Sequence, residues 1–154
     1  MVDLRPASVD DIWWVSSRLR AADLAELQAL HGPEVDVQRV LWRAVRVSDI
    51  GIAAVLPDGE PIALLGVAPI SLVSAEGSPW MLGTERVFEQ PRAALELGRR
   101  MTTGWMSRYR LLQNWVDARN DMSLRWLRRI GFTIHPAQPH GALHLPFHRF
   151  TRCA

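Results

Sequence analysis

The sequence predicts an α/β protein of the α+β kind, with a mixed central sheet of about six to seven strands flanked by helices. The chain has 154 residues, of which 48% are hydrophobic and 22% charged, a composition typical of a globular domain with a sizeable core. Five stretches show apolar residues at helical spacing, and seven shorter runs are strand-like. No linker, repeat or low-complexity tract separates them, so residues 1–154 are predicted to form a single domain.

The first third of the chain is predicted to be mainly helical. A short strand at Val2–Arg5 precedes a helix capped by Ser8. The buried stripe of this helix is predicted to comprise Ile12, Val15 and Leu19. Two further helices are expected at Ala22–Leu30 and Asp36–Val47. Trp13 and Trp14 are adjacent and cannot both point inward from one helix, so one of them is expected to be exposed.

The middle of the chain reads as β-structure. Ile50–Leu56 and Pro61–Val67 flank the tight turn Pro57-Asp58-Gly59-Glu60 and are predicted to form a hairpin. A second turn is predicted at Glu76-Gly77-Ser78-Pro79, before a short strand at Trp80–Thr84. Both hairpin arms are nearly all apolar, so both of their faces are expected to be covered.

The last part of the chain alternates between helix and strand. Pro91 fits the first turn of a long helix that runs to about Tyr109 and turns Ala94, Leu97, Met101 and Trp105 inward. A strand is predicted at Leu111–Ala118, and two more at Phe132–Ile134 and Leu143–Phe150.

The most informative segment is Arg119–Phe132. Asn120 and Asp121 can cap a helix, and Gly131 stands where a left-handed residue would end it. Four apolar residues fall at helical spacing in between: Met122, Trp126, Leu127 and Ile130. The order of Asn, helix, Gly-Phe and strand resembles the C-terminal block of the GNAT fold of N-acetyltransferases. The element order of nearly the whole chain is also similar to that fold, so the single domain is expected to be GNAT-like.

This resemblance implies a binding site for acyl-coenzyme A. By analogy with the family, the coenzyme would be held by Arg92, Ala93 and Ala94 at the start of the long helix, together with Asn120 and Ser123. The family normally places a glycine-rich turn before this helix. Here that stretch has no glycine, and a proline removes one N–H group.

The resemblance also implies catalytic roles that this sequence fills only in part. Glu85, which follows the predicted fourth strand, is the candidate general base by analogy. The position at which the family usually carries a tyrosine general acid is Leu127, and leucine has no proton to give.

The C-terminal half resembles a narrower family, the internal virion protein A of short-tailed phages. Trp80–Thr84, Val87-Phe88, Asn114-Trp115-Val116, Asn120 and Arg125–Gly131 run in the order seen there. This implies a role in virion assembly or structure through contacts with portal, tail or internal virion proteins. The expected location is the host cytoplasm, with incorporation into the virion left open.

Two functions therefore follow from the sequence. The leading hypothesis is a phage GNAT-fold protein that acts through protein–protein contacts, is catalytically impaired and needs no cofactor. The alternative is an acyl-CoA-dependent N-acetyltransferase that uses acetyl-coenzyme A. A homo-oligomer is compatible with both.

Charge is distributed unevenly along the chain. Residues 1–85 carry 6 arginines and 12 acidic side chains, whereas residues 86–154 carry 12 arginines and 4 acidic side chains, and there is no lysine. Such a chain could dock on an acidic partner or on coenzyme phosphates. Nucleic-acid binding is not expected, because no aromatic ladder is interleaved among the arginines.

Metal binding and membrane insertion are not predicted. Cys153 is the only cysteine, so an internal disulfide and a Cys-based zinc site are excluded. His140, His144 and His148 recur every fourth residue, which on a strand separates successive rings by about 13 Å, too far for one ion. No apolar run approaches the ~20 residues of a membrane span.

Overall fold

The computed structural model describes residues 1–154 and contains one sheet of seven strands with five α-helices. The strands are β1 Asp3–Pro6, β2 Ile52–Val55, β3 Pro61–Ser71, β4 Glu76–Gly83, β5 Leu111–Asp117, β6 Thr133–His140 and β7 Leu145–Cys153. The helices are α1 Val9–Ser16, α2 Ala21–His31, α3 Val37–Val47, α4 Pro91–Met106 and α5 Asp121–Arg129, and a 3-10 turn at Glu85–Val87 follows β4. The predicted fold class and strand number are confirmed.

The sheet has the order β1-β2-β3-β4-β5-β7-β6, and every neighbouring pair is antiparallel except β4 and β5. Helices α1, α2 and α3 cover one face, where Ile12, Leu27 and Leu41 pack on Leu64 and Leu82. Helices α4 and α5 cover the other face. None of the five helices is both long enough and apolar enough to cross a membrane.

Local capping explains where the helices begin. Ser8 accepts a hydrogen bond from the Asp11 amide, and the Asp11 carboxylate accepts one from the Ser8 amide, which completes a capping box. Asp36 caps α3 by accepting a hydrogen bond from the Arg39 amide, without the reciprocal bond. On α1, Trp13 is 54% exposed whereas Trp14 is partly buried, as the adjacent pair predicted.

The turn predicted at Glu76–Pro79 is wrong, because these residues belong to β4 and the chain turns at 72–75 instead. Thr84 donates its amide to Ile62 on β3, so the even-numbered residues of β4 bond to β3 and the odd-numbered ones face away. Pro79 is odd-numbered, so its missing N–H removes no bond between β3 and β4.

Several other predicted boundaries also move, among them the end of helix α1, which stops at Ser16 before Leu19, and the end of strand β3, which runs on to Ser71. The long helix α4 ends at Met106, three residues before the predicted end at Tyr109. Strand β6 is longer than predicted and extends to His140 through two prolines, Pro136 and Pro139. This is possible because β6 is an edge strand, where a residue without an N–H group can face solvent.

Two glycines in α4 should respond oppositely to a methyl group. A Cβ on Gly98 would lie 2.6 Å from Cζ2 of Trp126 and 2.8 Å from Cγ2 of Ile130, whereas one on Gly104 would meet nothing within 4 Å. We expect Gly98→Ala to lower the free energy of unfolding by about 1–3 kcal/mol through overpacking. Gly104→Ala should raise it by up to ~1 kcal/mol, because alanine is the better helix former. Urea denaturation measures both, and equal effects would contradict the α4–α5 packing.

Candidate active site between the diverging strands

Strands β4 and β5 leave a gap in the middle of the sheet. They pair only at Glu76–Leu111 and Gly77–Leu112, and then diverge. The odd-numbered residues of β4 therefore point their peptide groups into a space without a neighbouring strand. Gly83 uses this space to accept from the Arg20 amide at 2.8 Å and to donate to Asp23 Oδ2 at 3.0 Å. The peptide groups of Met81 face the same gap and have no backbone partner there.

A single side chain bridges the gap where it begins. Asn114 on β5 donates from Nδ2 to the carbonyl of Pro79 on β4, at 2.8 Å. Its Oδ1 accepts from the amide of Trp115, also at 2.8 Å. The asparagine thus satisfies two backbone groups that a continuous ladder would otherwise have paired.

A cavity of about 200 Å³ passes through the sheet at this gap. On the α4/α5 side its wall is apolar and includes Leu97, Met101, Trp105, Trp126 and Leu127. On the other side lies a space that we call the α2/α3 chamber. It is lined by Asp23, Glu26, Leu27, Leu30, Val40, Ala44, Trp80, Leu82 and Trp115.

A buried arginine links the elements around the end of the gap near Gly83. Arg20 is 4% exposed, and its Nη2 donates to Asp23 Oδ1 at 3.0 Å, to Asn120 Oδ1 at 2.9 Å and to Ser123 Oγ at 3.2 Å. Its guanidinium carbon lies 4.7 Å from the centre of the Phe88 ring, and its Nε has no hydrogen-bond partner. This group ties α2 to the end of β4 and to the start of α5.

Glu26 is the ionisable group with the most altered environment. Its Oε1 accepts from the Asp117 amide at 2.8 Å, and no cation lies within ion-pair distance. Burial, and then the charges of Asp23 and Asp117, raise the pKa of Glu26 from 4.5 to about 7, against the opposing effect of hydrogen bonds from Asp117 and Asn120. A carboxyl group with such a pKa can accept a proton at neutral pH, as a general base must.

Asp117 beside it behaves differently. Burial favours its neutral form, but the hydrogen bonds from Arg119 outweigh this effect and hold the pKa of Asp117 below its usual value. The Arg119 Nη2 lies 2.7 Å from Asp117 Oδ2. Asp117 therefore stays ionised and adds to the negative potential at Glu26.

The structure brings two of the predicted site residues to this gap. Asn120 is 3% exposed and caps α5, accepting from the Ser123 amide at 3.4 Å and donating to Asp23 Oδ1 at 3.4 Å. Ser123 lines the cavity, and so does Leu127, the residue at the predicted acid position. The amide oxygen of Asn120 is already engaged by Arg20 and by the cap.

The other predicted residues lie at the ends of helices. Glu85 is exposed, and its Oε1 accepts from the Ala21 amide at 2.9 Å, at the start of α2. At the start of α4 the amides of Arg92 and Ala93 have no acceptor, whereas the amide of Ala94 donates to the Gln90 carbonyl. The base role of Glu85 and the phosphate role of Arg92–Ala94 stay predictions.

Arg20, Asp23 and Glu26 are site residues that reasoning from sequence missed. A signal was present in α2. Asp23 lies four residues before the buried Leu27 and Glu26 lies directly before it, so both acidic residues fall on or beside the buried face of the helix. Charged residues on an apolar face of a helix indicate either a buried ion pair or a functional site.

Comparison with solved structures places this geometry in a known fold. Ard1 from Thermoplasma volcanium superposes with a TM-score of 0.77 at 15% identity, over 99% of this chain and 97% of that one. An acetyltransferase of the GNAT family from Streptococcus pneumoniae gives 0.68 at 16% identity, over all of both chains. Spermidine N-acetyltransferase from Vibrio cholerae, solved with CoA and spermine, gives 0.75 at 10% identity, over 99% and 95%.

These likenesses establish that the chain has the GNAT acetyltransferase fold. The identities are too low to carry over an activity, and they do not bear on the resemblance to the phage internal virion protein. No protein-family model and no curated protein sequence matches the chain.

Proposed function

We propose that the protein binds an acyl-coenzyme A in the gap between β4 and β5 and transfers the acyl group to an amine. The observation that carries this proposal is the position of Glu26, a carboxyl with a pKa of about 7, on the wall of the cavity that passes through that gap. The proposal favours the enzymatic alternative over a purely structural role.

The residues around the gap fit the chemistry of the coenzyme. A pantetheine arm alternates amide groups with methylene groups, and the gap offers the unpaired peptide groups of Met81 beside the apolar α4/α5 wall. The free amides of Arg92 and Ala93, at the positive end of a 16-residue helix, suit the phosphates. The Arg92 side chain is exposed at the same helix end and adds a positive charge.

Each side chain of the gap then has a role in acyl transfer. Glu26 takes the proton from an incoming ammonium group, and the neutral amine attacks the thioester carbon. Leu127 gives no proton, so the departing thiolate is protonated by the second amine proton or by solvent. The Arg20 network keeps α2, and with it Glu26, at a constant position against β4.

Coenzyme binding is the test of this proposal. Isothermal titration with acetyl-coenzyme A and desulfo-coenzyme A should give micromolar dissociation constants, on the order of 1–100 μM, and an amine panel should release free thiol. Arg92→Gln should weaken binding about tenfold if its guanidinium contacts phosphate. Arg99→Gln is the matched control, since Arg99 is also exposed and unpaired on α4 but lies two turns further on. Absence of both heat and thiol release would refute the proposal.

A role in virion assembly is retained as a second proposal. It is favoured by the exposed indole of Trp13 and by six arginines on α4 and α5 that form no ion pair: Arg92, Arg99, Arg100, Arg125, Arg128 and Arg129. The partners would be portal, tail or internal virion proteins. Pull-down with virion components should capture the wild type and lose capture with Trp13→Ala, and a chain that binds none of them would refute this role.

A further inference from the structure

The α2/α3 chamber is apolar apart from two carboxylates. Its wall combines two indoles, Trp80 and Trp115, with aliphatic side chains such as Leu30 and Val40. Asp23 and Glu26 are the ionisable side chains on its lining, and no arginine or histidine lines it. The chamber therefore offers an apolar surface together with negative charge and no positive charge.

The two carboxylates differ in how they are compensated. Asp23 receives hydrogen bonds from Arg20, Asn120 and the Gly83 amide, so its charge is satisfied within the protein. Glu26 receives hydrogen bonds from the Asp117 amide and from the Asn120 side chain, but no cation pairs with it. An ionised carboxylate inside an apolar wall is unfavourable unless it is paired with a cation. The protein supplies no such cation to Glu26, so a cationic ligand would be favoured there.

The two indoles are held in defined positions. Trp80 donates from Nε1 to Ser48 Oγ at 2.7 Å. Trp115 stacks on His140, with ring centres 4.2 Å apart and planes inclined by 10°. Such rigid faces favour a flat apolar group, and they also attract a cation.

The turn between β6 and β7 packs against the end of α2, which carries Leu30 of the chamber wall. The amides of Ala142 and Leu143 donate to the carbonyls of Leu30 and Ala29 at the end of α2, at 3.0 and 3.2 Å. Gly141 lies so close that a Cβ there would be 2.8 Å from the Ala29 carbonyl oxygen. This backbone contact fixes the end of α2, and with it one part of the chamber wall.

We propose that the α2/α3 chamber binds a primary amine attached to a compact apolar body, an arylalkylamine or a short alkylamine, with its ammonium group on Glu26. The role of this amine as the acyl acceptor rests on the proposed function, whereas its binding to the chamber does not. In the reaction the ammonium gives one proton to Glu26, a C–N bond forms as the C–S bond breaks, and the second proton of the nitrogen ends on the thiolate. Glu26 then returns its proton to water.

Other acceptor classes fit the chamber poorly. A polyamine carries further charges, and the only other carboxylate on the lining is Asp23, whose charge is already compensated by Arg20 and the Gly83 amide. An amino acid would bring its own carboxylate towards Asp23 and Glu26, with no cation on the lining to receive it.

Binding of four small molecules without any acyl-coenzyme A tests this inference. The probes are 2-phenylethylamine, the neutral 2-phenylethanol, the anionic 3-phenylpropionate and spermidine. Their binding is measured by titration calorimetry and by the change in total tryptophan fluorescence. We expect 2-phenylethylamine to bind at least tenfold more tightly than each of the others. Glu26→Gln should remove the preference for the amine over the alcohol. Glu34→Gln, an exposed glutamate outside the chamber, should not change it.

The outcomes separate this inference from the proposed function. The amine site is overturned if spermidine binds as tightly as 2-phenylethylamine. It is also overturned if Glu26→Gln keeps the preference for 2-phenylethylamine over 2-phenylethanol. If thiol is released with polar amines alone, acyl transfer stands and the apolar acceptor is wrong. If 2-phenylethylamine binds through Glu26 but no coenzyme binds, the chamber stands and the proposed reaction is wrong.

Discussion

Replacing Glu26 by glutamine is expected to reduce the rate of acyl transfer by on the order of 100-fold or more, because the general base is lost. Glutamine has nearly the same shape and can still accept the hydrogen bond from the Asp117 amide. Coenzyme binding should therefore be retained. The measurement is thiol release from acetyl-coenzyme A with 2-phenylethylamine as acceptor, and the wild-type rate should rise with pH through about 7 as Glu26 ionises.

The same substitution should stabilise the fold at alkaline pH. The pKa of Glu26 is raised from 4.5 to about 7 on folding, so the folded state disfavours its ionised form. Below about pH 4.5 both states hold the proton and nothing is lost, whereas above about 7 both are ionised and the folded state is penalised. A shift of this size corresponds to roughly 3 kcal/mol as an upper bound. Glu26→Gln should thus match the wild type near pH 4.5 and exceed its free energy of unfolding at pH 8.

Glu85→Gln, made alongside, decides between the two candidate bases. Glu85 is exposed and bonded to the Ala21 amide, so its loss should weaken the start of α2 slightly. If Glu85→Gln abolishes transfer while Glu26→Gln retains it, the sequence-based assignment of Glu85 is correct and that of Glu26 is wrong.

Replacing Arg20 by methionine is the stability change with the largest expected effect, a loss of about 3–5 kcal/mol in the free energy of unfolding. The apolar part of methionine can fill much of the space, but Asp23 would remain buried without its cation. Asn120 and Ser123 would each lose a donor as well. Urea denaturation at pH 7 measures the loss.

Arg99→Met provides the control for this experiment. Arg99 is exposed on α4 and forms no ion pair, so its replacement should change the free energy of unfolding by less than about 0.5 kcal/mol. The double variant Arg20→Met with Asp23→Leu should recover part of the loss, since no uncompensated charge is then buried. A loss below 1 kcal/mol in Arg20→Met would show that the buried pair does not hold α2 against β4.

Features that depend on neighbours along the chain were predictable from sequence. The bounds of α5 follow from Asn120, which caps it, and from Gly131, whose φ of 103° suits the residue after a helix. The capping box at Ser8 and the exposure of Trp13 follow equally from local spacing. The element order and the GNAT fold rest on such signals, because caps and periodicity act within one or two helical turns.

Features that join distant parts of the chain could be seen only once the chain was folded. Pro79 can lie within β4 because its nitrogen faces the gap, where β5 has diverged and no backbone bond is lost. No local sequence pattern shows where two strands diverge. The raised pKa of Glu26 arises mainly from burial, and to a lesser extent from the charges of Asp23 and of Asp117, which lies more than 90 residues further along the chain. Arg20 is buried through Asn120 and Ser123 at a similar separation. Caps and periodicity therefore predict the helices, the strands and their fold, whereas burial and charge at the gap depend on which remote groups the fold brings within a few ångströms.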